Sequence, residues 1–137
     1  MSSPALEYIP DAARPVALIV RGRLKAGGAS FFTRPANQLQ VGRLRHPAGT
    51  RVAAHTHRRL PRGSGGGFPQ EVLAVRSGKV RVRVYGDDRR PLGSRLLAAG
   101  DLVLFFRGGH ALDVLRGCDI FEVRQGPFRG DAGKLRY

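Results

Sequence analysis

Two histidines separated by a single residue are the part of this sequence best suited to chemistry. His55 and His57 begin the stretch HTHRRLPRGSGGGFPQEVLAVRSGK. Side chains at positions i and i+2 of a β-strand point to the same face, so the two imidazoles are predicted to project side by side. They can be ligands of a metal ion or ordinary polar residues of a hairpin, and this spacing alone leaves both interpretations open.

An acidic residue and a third histidine extend the metal interpretation. Glu71 begins an apolar run and shares its face with Leu73 and Val75. A carboxylate on an apolar, inward face is costly unless it is paired or bound to a cation. His110 follows two glycines, where a tight turn can direct it inward. Three imidazoles and one carboxylate that converge would suit a divalent transition metal.

The spacing of these residues resembles the first motif of the cupin superfamily. That motif runs glycine, five residues, His-x-His, a gap, glutamate, six residues and glycine. Here Gly49 is followed by five residues and then by His55 and His57, and Glu71 is followed by six residues and then by Gly78. The gap of 13 residues before Glu71 is longer than the shortest form of the motif.

The second cupin motif is matched in part. Gly100 and Asp101 open it, residues 106–108 stand in the place of Pro-x-Gly, and His110 comes one residue early. The proline and the terminal asparagine of the motif are absent.

The resemblance covers about residues 39–125 and implies an all-β, double-stranded β-helix (jelly-roll) barrel. The residues that it carries over as metal ligands are His55, His57, Glu71 and His110. Fe, Mn, Ni, Co and Zn all accept such ligands, so the sequence does not identify the metal.

The last residues, FEVRQGPFRGDAGKLRY, are similar to the ending of a group of small bacterial cupins. Members of that group stand alone or form the cupin half of enzymes that make hydrazines from two amino-acid-derived amines in natural-product biosynthesis. This closer resemblance implies N–N bond formation as candidate chemistry. The metal would organise an N-hydroxylated amine, and arginines would hold a carboxylate.

Arginines of the loop 58–69 are candidates to bind a small anionic molecule. Arg58, Arg59 and Arg62 can receive a carboxylate or phosphate in a forked geometry. The glycines of this loop fit a lid over the metal and equally a solvated hairpin. Weaker candidates for the pocket lining are Arg43, Gln70, Tyr85 and Phe106. For the two aromatic residues, core packing is the alternative.

The elements that must position these residues are predicted to be short strands. Apolar residues recur with a period of two in eight runs: 16–20, 30–33, 39–44, 71–75, 80–85, 102–106, 111–115 and 119–123. Glycine or proline signals separate the runs, which is typical of an antiparallel sandwich or small barrel. With 137 residues, 42% of them hydrophobic, the chain is predicted to form one domain over 1–137. The ends, 1–10 and 130–137, are expected to be the least tightly held.

The formal net charge of +14 limits the classes of partner. Such an excess favours anionic ligands or nucleic acid. The arginines are dispersed without interleaved aromatic residues, however, so solvated surface charge is the main interpretation. No segment resembles a signal peptide or reaches the roughly 20 apolar residues of a membrane span, and Cys118 is the single cysteine. We therefore expect a cytoplasmic protein without a membrane partner.

Three functions remain open at this point. The first is a metal-dependent enzyme acting on a small anionic metabolite such as an amino-acid derivative, by oxidation, isomerisation, elimination or N–N bond formation. The second is a non-catalytic, metal-containing module that binds or senses a ligand. The third is a basic barrel that binds nucleic acid, in which the histidines are incidental. Family habit predicts a homodimer that pairs through the strand at 16–20. His46 is expected to be solvated or locally bonded and not to be a metal ligand, and Cys118 is expected to be a structural thiol.

Overall fold

The computed structural model describes residues 3–25, 27–60, 67–127 and 133–137. Within these ranges the chain forms no α-helix and ten β-strands: β1 (Leu6–Ile9), β2 (Ala17–Val20), β3 (Gly28–Phe31), β4 (Leu39–His46), β5 (Arg51–His57), β6 (Glu71–Tyr85), β7 (Pro91–Ala98), β8 (Leu102–Phe105), β9 (Gly109–Gln125) and β10 (Lys134–Arg136). The prediction of an all-β fold is confirmed. A helix with the length and apolar character needed to span a bilayer is not found among the described residues.

Two long strands organise the fold. β6 and β9 pair antiparallel along nearly their whole length, from the Glu71–Arg124 pair to the Tyr85–Gly109 pair. The register shifts three times within residues 75–80 of β6. Such irregularities bend and twist a strand, so both long strands pass from one half of the sheet into the other at this level.

Gly78 lies at the bend and allows β6 to continue through it as one strand. Its φ of 86° lies in the left-handed region, and a side chain there would collide with the carbonyl oxygen of Gly117 on β9. Glycine meets both demands without strain. The sequence predicted turns at 77–78 and 116–117 between separate strands, and this prediction is wrong. The runs 71–75 and 80–85 both belong to β6, and the runs 111–115 and 119–123 both belong to β9.

The bend divides the eight-stranded sheet into two halves that face each other. The strand order is β8-β6-β9-β4-β3 in the first half and β7-β6-β9-β5-β10 in the second half. Inward residues of both halves form the core, and its most buried apolar side chains are Leu73, Val80 and Ile120. Cys118 is buried in the same core, as predicted for a structural thiol.

The two ends of the chain are paired more extensively than expected. β1 pairs antiparallel with β2, and the Tyr8 hydroxyl donates a hydrogen bond to the Phe32 carbonyl oxygen at 2.6 Å. At the other end β10 pairs antiparallel with β5. The expectation that residues 1–10 and 130–137 are the least tightly held stays a prediction, although β1 and β10 within these ranges are paired. The predicted homodimer stays a prediction, and β2 already uses one of its edges within the chain.

Candidate metal centre

β5 presents two imidazoles to the interior between the halves of the sheet. The ring centroids of His55 and His57 lie 5.1 Å apart, and the intervening Thr56 points the other way, donating its hydroxyl to the Gly108 carbonyl oxygen. The Nδ1 atom of His55 lies 2.8 Å from the carbonyl oxygen of Ala53. Because a carbonyl oxygen only accepts hydrogen bonds, His55 carries its proton on Nδ1 and offers Nε2 to a ligand.

His110 completes a cluster of three imidazoles. It lies on β9 directly opposite His55 in the strand register, and the two ring centroids are 4.6 Å apart. One ring nitrogen from each of His55, His57 and His110 lies within 4.8 Å of the other two. Imidazole nitrogens bind zinc at about 2.0–2.1 Å. The three nitrogens are therefore close enough together for one ion placed among them to be approached by all three with small side-chain movements.

Glu71 approaches this cluster from the opposite half of the sheet. Its side chain is buried on the inward face of β6, as the alternation with Leu73 and Val75 predicted. The Oε2 atom lies 3.1 Å from Nε2 of His57 and 3.5 Å from Nε2 of His110. The structure thus brings together all four side chains that the sequence singled out as metal ligands.

Burial keeps the three imidazoles neutral. Loss of hydration lowers the pKa of His55 to about 4 and that of His57 to about 4, and it lowers the pKa of His110 well below its usual range. The positive charge of Lys134 is a smaller cause of the same lowering in all three groups. Since neutral imidazole is the form that binds metals, the cluster is in its ligating form at neutral pH.

A cavity of about 230 Å³ opens onto the cluster and lies between the two halves of the sheet. Besides the cluster and Glu71, four polar residues line it: His46, Glu122, Arg124 and Lys134. His46, which was expected to be solvated or locally bonded and not a ligand, is half-buried there and does not belong to the three-histidine cluster. Sequence reasoning did not single out the other three.

The alternation along β9 was the signal for two of these missed residues. Ile120, Glu122 and Arg124 alternate with less buried neighbours and all three are buried. Extending the inward face of Ile120 by two and four positions would have identified both charged side chains. Lys134 has no comparable signal, because its position depends on the pairing of the three-residue strand β10 with β5.

Glu122 forms a carboxyl pair with Glu71. Burial, the nearby charge of Glu71 and a hydrogen bond between the two carboxyl groups together raise the pKa of Glu122 to about 8. Arg124 opposes this shift, with Nη1 3.8 Å from Oε1 of Glu122. The Arg124 guanidinium also stands over the ring of Phe31, 4.9 Å from its centroid.

Phe105, and not Phe106, forms the aromatic wall of the cluster. The rings of Phe105 and His110 stack with centroids 4.0 Å apart and an interplanar angle of 9°. Phe106 is 64% exposed and points away from the core. Tyr85 packs edge-on against Tyr137 with ring centroids 5.4 Å apart, and neither Tyr85 nor Phe106 lines the cavity.

The structure does not bring Arg43 to the cavity. Its guanidinium is buried in a two-pronged ion pair with Asp119, at 2.7 and 2.5 Å, and also donates to the carbonyl oxygens of Gly22 and Leu24. This pairing raises the pKa of Arg43 and lowers the pKa of Asp119. Arg43 therefore holds the segment before β3 against β4 and β9.

The remaining substrate-binding candidates lie outside the cavity or outside the described residues. Arg58 is exposed, and its backbone N–H donates to the Gly133 carbonyl oxygen. Arg59 is exposed and stands over the ring of Phe68 at 4.6 Å. Gln70 is exposed, and its backbone N–H donates to the side chain of Gln125. Arg62 lies outside the described residues, as does half of the loop proposed as a lid, residues 61–66.

Comparison with known proteins identifies the fold. No family model matches the chain, and no curated protein matches it. Oxalate decarboxylase from Bacillus subtilis, in a tryptophan-to-phenylalanine variant, is similar in structure, with a TM-score of 0.63, 20% identity and coverage of 84% of this chain. The structure of the same enzyme at pH 4.6 gives a TM-score of 0.63, 21% identity and coverage of 83%.

The similarity covers only a small part of each oxalate decarboxylase chain. The chain spans 29% of the length of the oxalate decarboxylase chains that it matches. Another similar structure of the Bacillus subtilis enzyme belongs to work that assigned the EPR fine structure parameters of its Mn(II) centres. At this level of identity the comparison shows the fold alone: the chain has a cupin-like, curled β-barrel fold, with a three-histidine cluster that could bind a metal ion.

Proposed function

We propose that this chain is a metal-dependent cupin that acts on a small anionic metabolite such as an amino-acid derivative. In this proposal His55, His57, His110 and Glu71 hold a divalent transition metal ion. The observation that carries it is the convergence of three buried imidazoles, with ring nitrogens within 4.8 Å of one another, on a carboxylate 3.1–3.5 Å from two of them.

The donor set fits such an ion. Neutral imidazoles and a carboxylate accept Fe, Mn, Ni, Co or Zn, and the similarity to an enzyme with Mn(II) centres makes manganese the first ion to test. A metal held by these residues with an open coordination position would supply Lewis-acid chemistry or orient a substrate oxygen. The residues of the chain provide the rest: Phe105 fixes the ring of His110, and the two halves of the sheet shield the site from bulk water.

Elemental analysis of the purified protein tests the metal site. We expect about one equivalent of metal in the wild type, and an affinity lower by more than about 100-fold in His55→Ala and Glu71→Ala, since each removes a ligand. His46→Ala is the matched control, because His46 lines the same cavity outside the cluster. Circular dichroism establishes that each variant is folded. Full metal content in folded His55→Ala would refute the proposed ligands.

Turnover separates an enzyme from a binding module. The metal-loaded protein is incubated with small carboxylates and N-hydroxylated amino-acid derivatives, and products of oxidation, isomerisation, elimination or N–N bond formation are sought by mass spectrometry. Product that disappears in Glu71→Ala supports catalysis. Tight binding of one of these compounds without any product would instead assign the chain to the non-catalytic, metal-containing binding modules.

A further inference from the structure

Two cations face the metal cluster from different strands. Lys134 is half-buried on β10, lines the cavity and lies opposite His57 in the strand register. Arg124 is buried on β9 and lines the same cavity. Both side chains are close enough to the imidazoles for their charges to lower the pKa values of His57 and His110. The cavity is therefore lined by the three imidazoles and, beside them, by two cations.

The charges of the lining residues favour an anionic occupant. The carboxylates of Glu71 and Glu122 offset at most the charges of Arg124 and Lys134. A divalent ion in the cluster then leaves an excess of two positive charges inside a low-dielectric space, where opposite charges attract strongly. Within the described part of the chain, no ion pair or side-chain hydrogen bond engages the Lys134 ammonium.

On the basis of the proposed function, we propose that Lys134 and Arg124 form a carboxylate-binding end of this cavity and determine its specificity. The substrate class is then a small metabolite with a carboxylate at one end and an oxygen or nitrogen donor for the metal at the other. Arginine offers a planar fork to a carboxylate and lysine a mobile point charge. The cavity volume of about 230 Å³ is below the usual range for ligand pockets, about 300–1,000 Å³, which limits the ligand to a few carbon atoms.

The position of these residues differs from that of the two described loop arginines. Arg58 and Arg59 are exposed, whereas Lys134 and Arg124 face the cluster directly. β10 is the element responsible, because its pairing with β5 places Lys134 beside His57. Because Lys134 lies on the short strand β10, its removal takes a positive charge from the cavity lining with little effect on the barrel core.

Calorimetric titration of the metal-loaded protein with malonate tests the inference, with acetate as the single-carboxylate reference. We expect Lys134→Met to raise the Kd for malonate about 10- to 100-fold, the range for loss of one hydrogen bond to a charged group. Lys25→Met is the matched control, since it removes the same charge at an exposed position outside the cavity. We expect it to leave the Kd within about twofold of wild type. Lys134→Arg keeps the cation and is expected to retain most of the affinity.

The metal content of every variant separates the two proposals. Wild type without bound metal overturns the proposed function, and this inference falls with it. Metal-loaded wild type that does not bind malonate, or that binds it as tightly after Lys134→Met as after Lys25→Met, overturns the inference alone. Should Lys134→Met fail to fold, Lys134→Gln takes its place. Equal affinity for malonate in that variant and in wild type would likewise overturn the inference alone.

Discussion

At the scale of single residues, the most specific contact of the site is the stack between Phe105 and His110. The nearly parallel rings, 4.0 Å apart, fix the orientation of the imidazole and remove water from one of its faces. This contact contributes to the burial that keeps His110 neutral. The pairing of His110 with His55 in the strand register places this histidine, which comes one residue early in its motif, beside the other imidazoles.

Replacing Phe105 and Phe106 separately tests this contact. Phe105→Ala removes a buried aromatic side chain and is expected to lower the free energy of unfolding by about 3–4 kcal/mol. We also expect it to weaken metal binding by about tenfold, as for other residues that orient a ligand. Phe106→Ala removes an exposed ring and should change stability by no more than about 0.5 kcal/mol. Urea unfolding and metal titration measure both effects, and equal effects of the two variants would contradict this account.

The sequence predicted the residues of the cluster better than the residues around it. Glu71 was placed inward because it alternates with apolar neighbours, and burial follows that alternation. Phe106 was a candidate for the pocket wall, whereas the inward face of β8 is set by Val103 and Phe105. Arg43 was a candidate because it is charged, and only the structure shows the buried carboxylate of Asp119 beside it.

At the scale of elements, the continuity of β6 and β9 determines where the site forms. Each strand contributes to both halves of the sheet, so Glu71 and His110 meet although they lie in different halves. This geometry depends on a local bend in which the backbones at residues 78 and 117 approach closely. Apolar periodicity located the runs but could not show that two of them form one strand.

Alanine substitution at two glycines tests the bend. Gly78 and Gly49 both have left-handed backbones, with φ of 86° and 90°. A side chain at position 49 meets no atom within 4 Å, whereas one at position 78 would collide with Gly117. We expect Gly49→Ala to cost about 1–2 kcal/mol of unfolding free energy from backbone strain alone, and Gly78→Ala to cost at least about 3 kcal/mol. Similar losses in chemical denaturation would mean that the close approach is unimportant.

At the scale of the whole molecule, a buried ion pair connects the N-terminal segment to the barrel. Arg43 bridges Asp119 and the carbonyl oxygens of Gly22 and Leu24. With a net charge of +14, most arginines of this protein are solvated, and Arg43 is an exception whose side chain is 3% exposed. Composition revealed the excess charge, but the partner of each arginine depends on contacts between distant residues.

Two aspartates of β9 allow this ion pair to be tested against a surface pair. Asp119→Asn leaves Arg43 buried without its partner and is expected to cost about 3 kcal/mol at neutral pH. Asp113 is equally buried, but its partners Arg51 and Arg83 are 73% and 41% exposed, so Asp113→Asn should cost less than about 1 kcal/mol.

The effect of Asp119→Asn is expected to depend on pH. The bond to Arg43 lowers the pKa of Asp119 in the folded protein, so its contribution is complete above the unfolded value of about 3.9 and is lost as the pH falls through the folded value. Denaturant titrations of wild type and variant from pH 7 to pH 2 should therefore converge at the acid end. A constant difference would show that the carboxylate charge is not responsible.

The placement of the cluster across the two halves of the sheet has a mechanical consequence. The imidazoles belong to β5 and the first part of β9, while Glu71 comes from the opposing half. An ion bound by these side chains would cross-link the two halves of the sheet, which are otherwise joined by packing and by the two bent strands. Metal binding would then stabilise the barrel against separation of its two halves. The same metal–ligand bonds that serve substrate binding would therefore also stabilise the fold around the site.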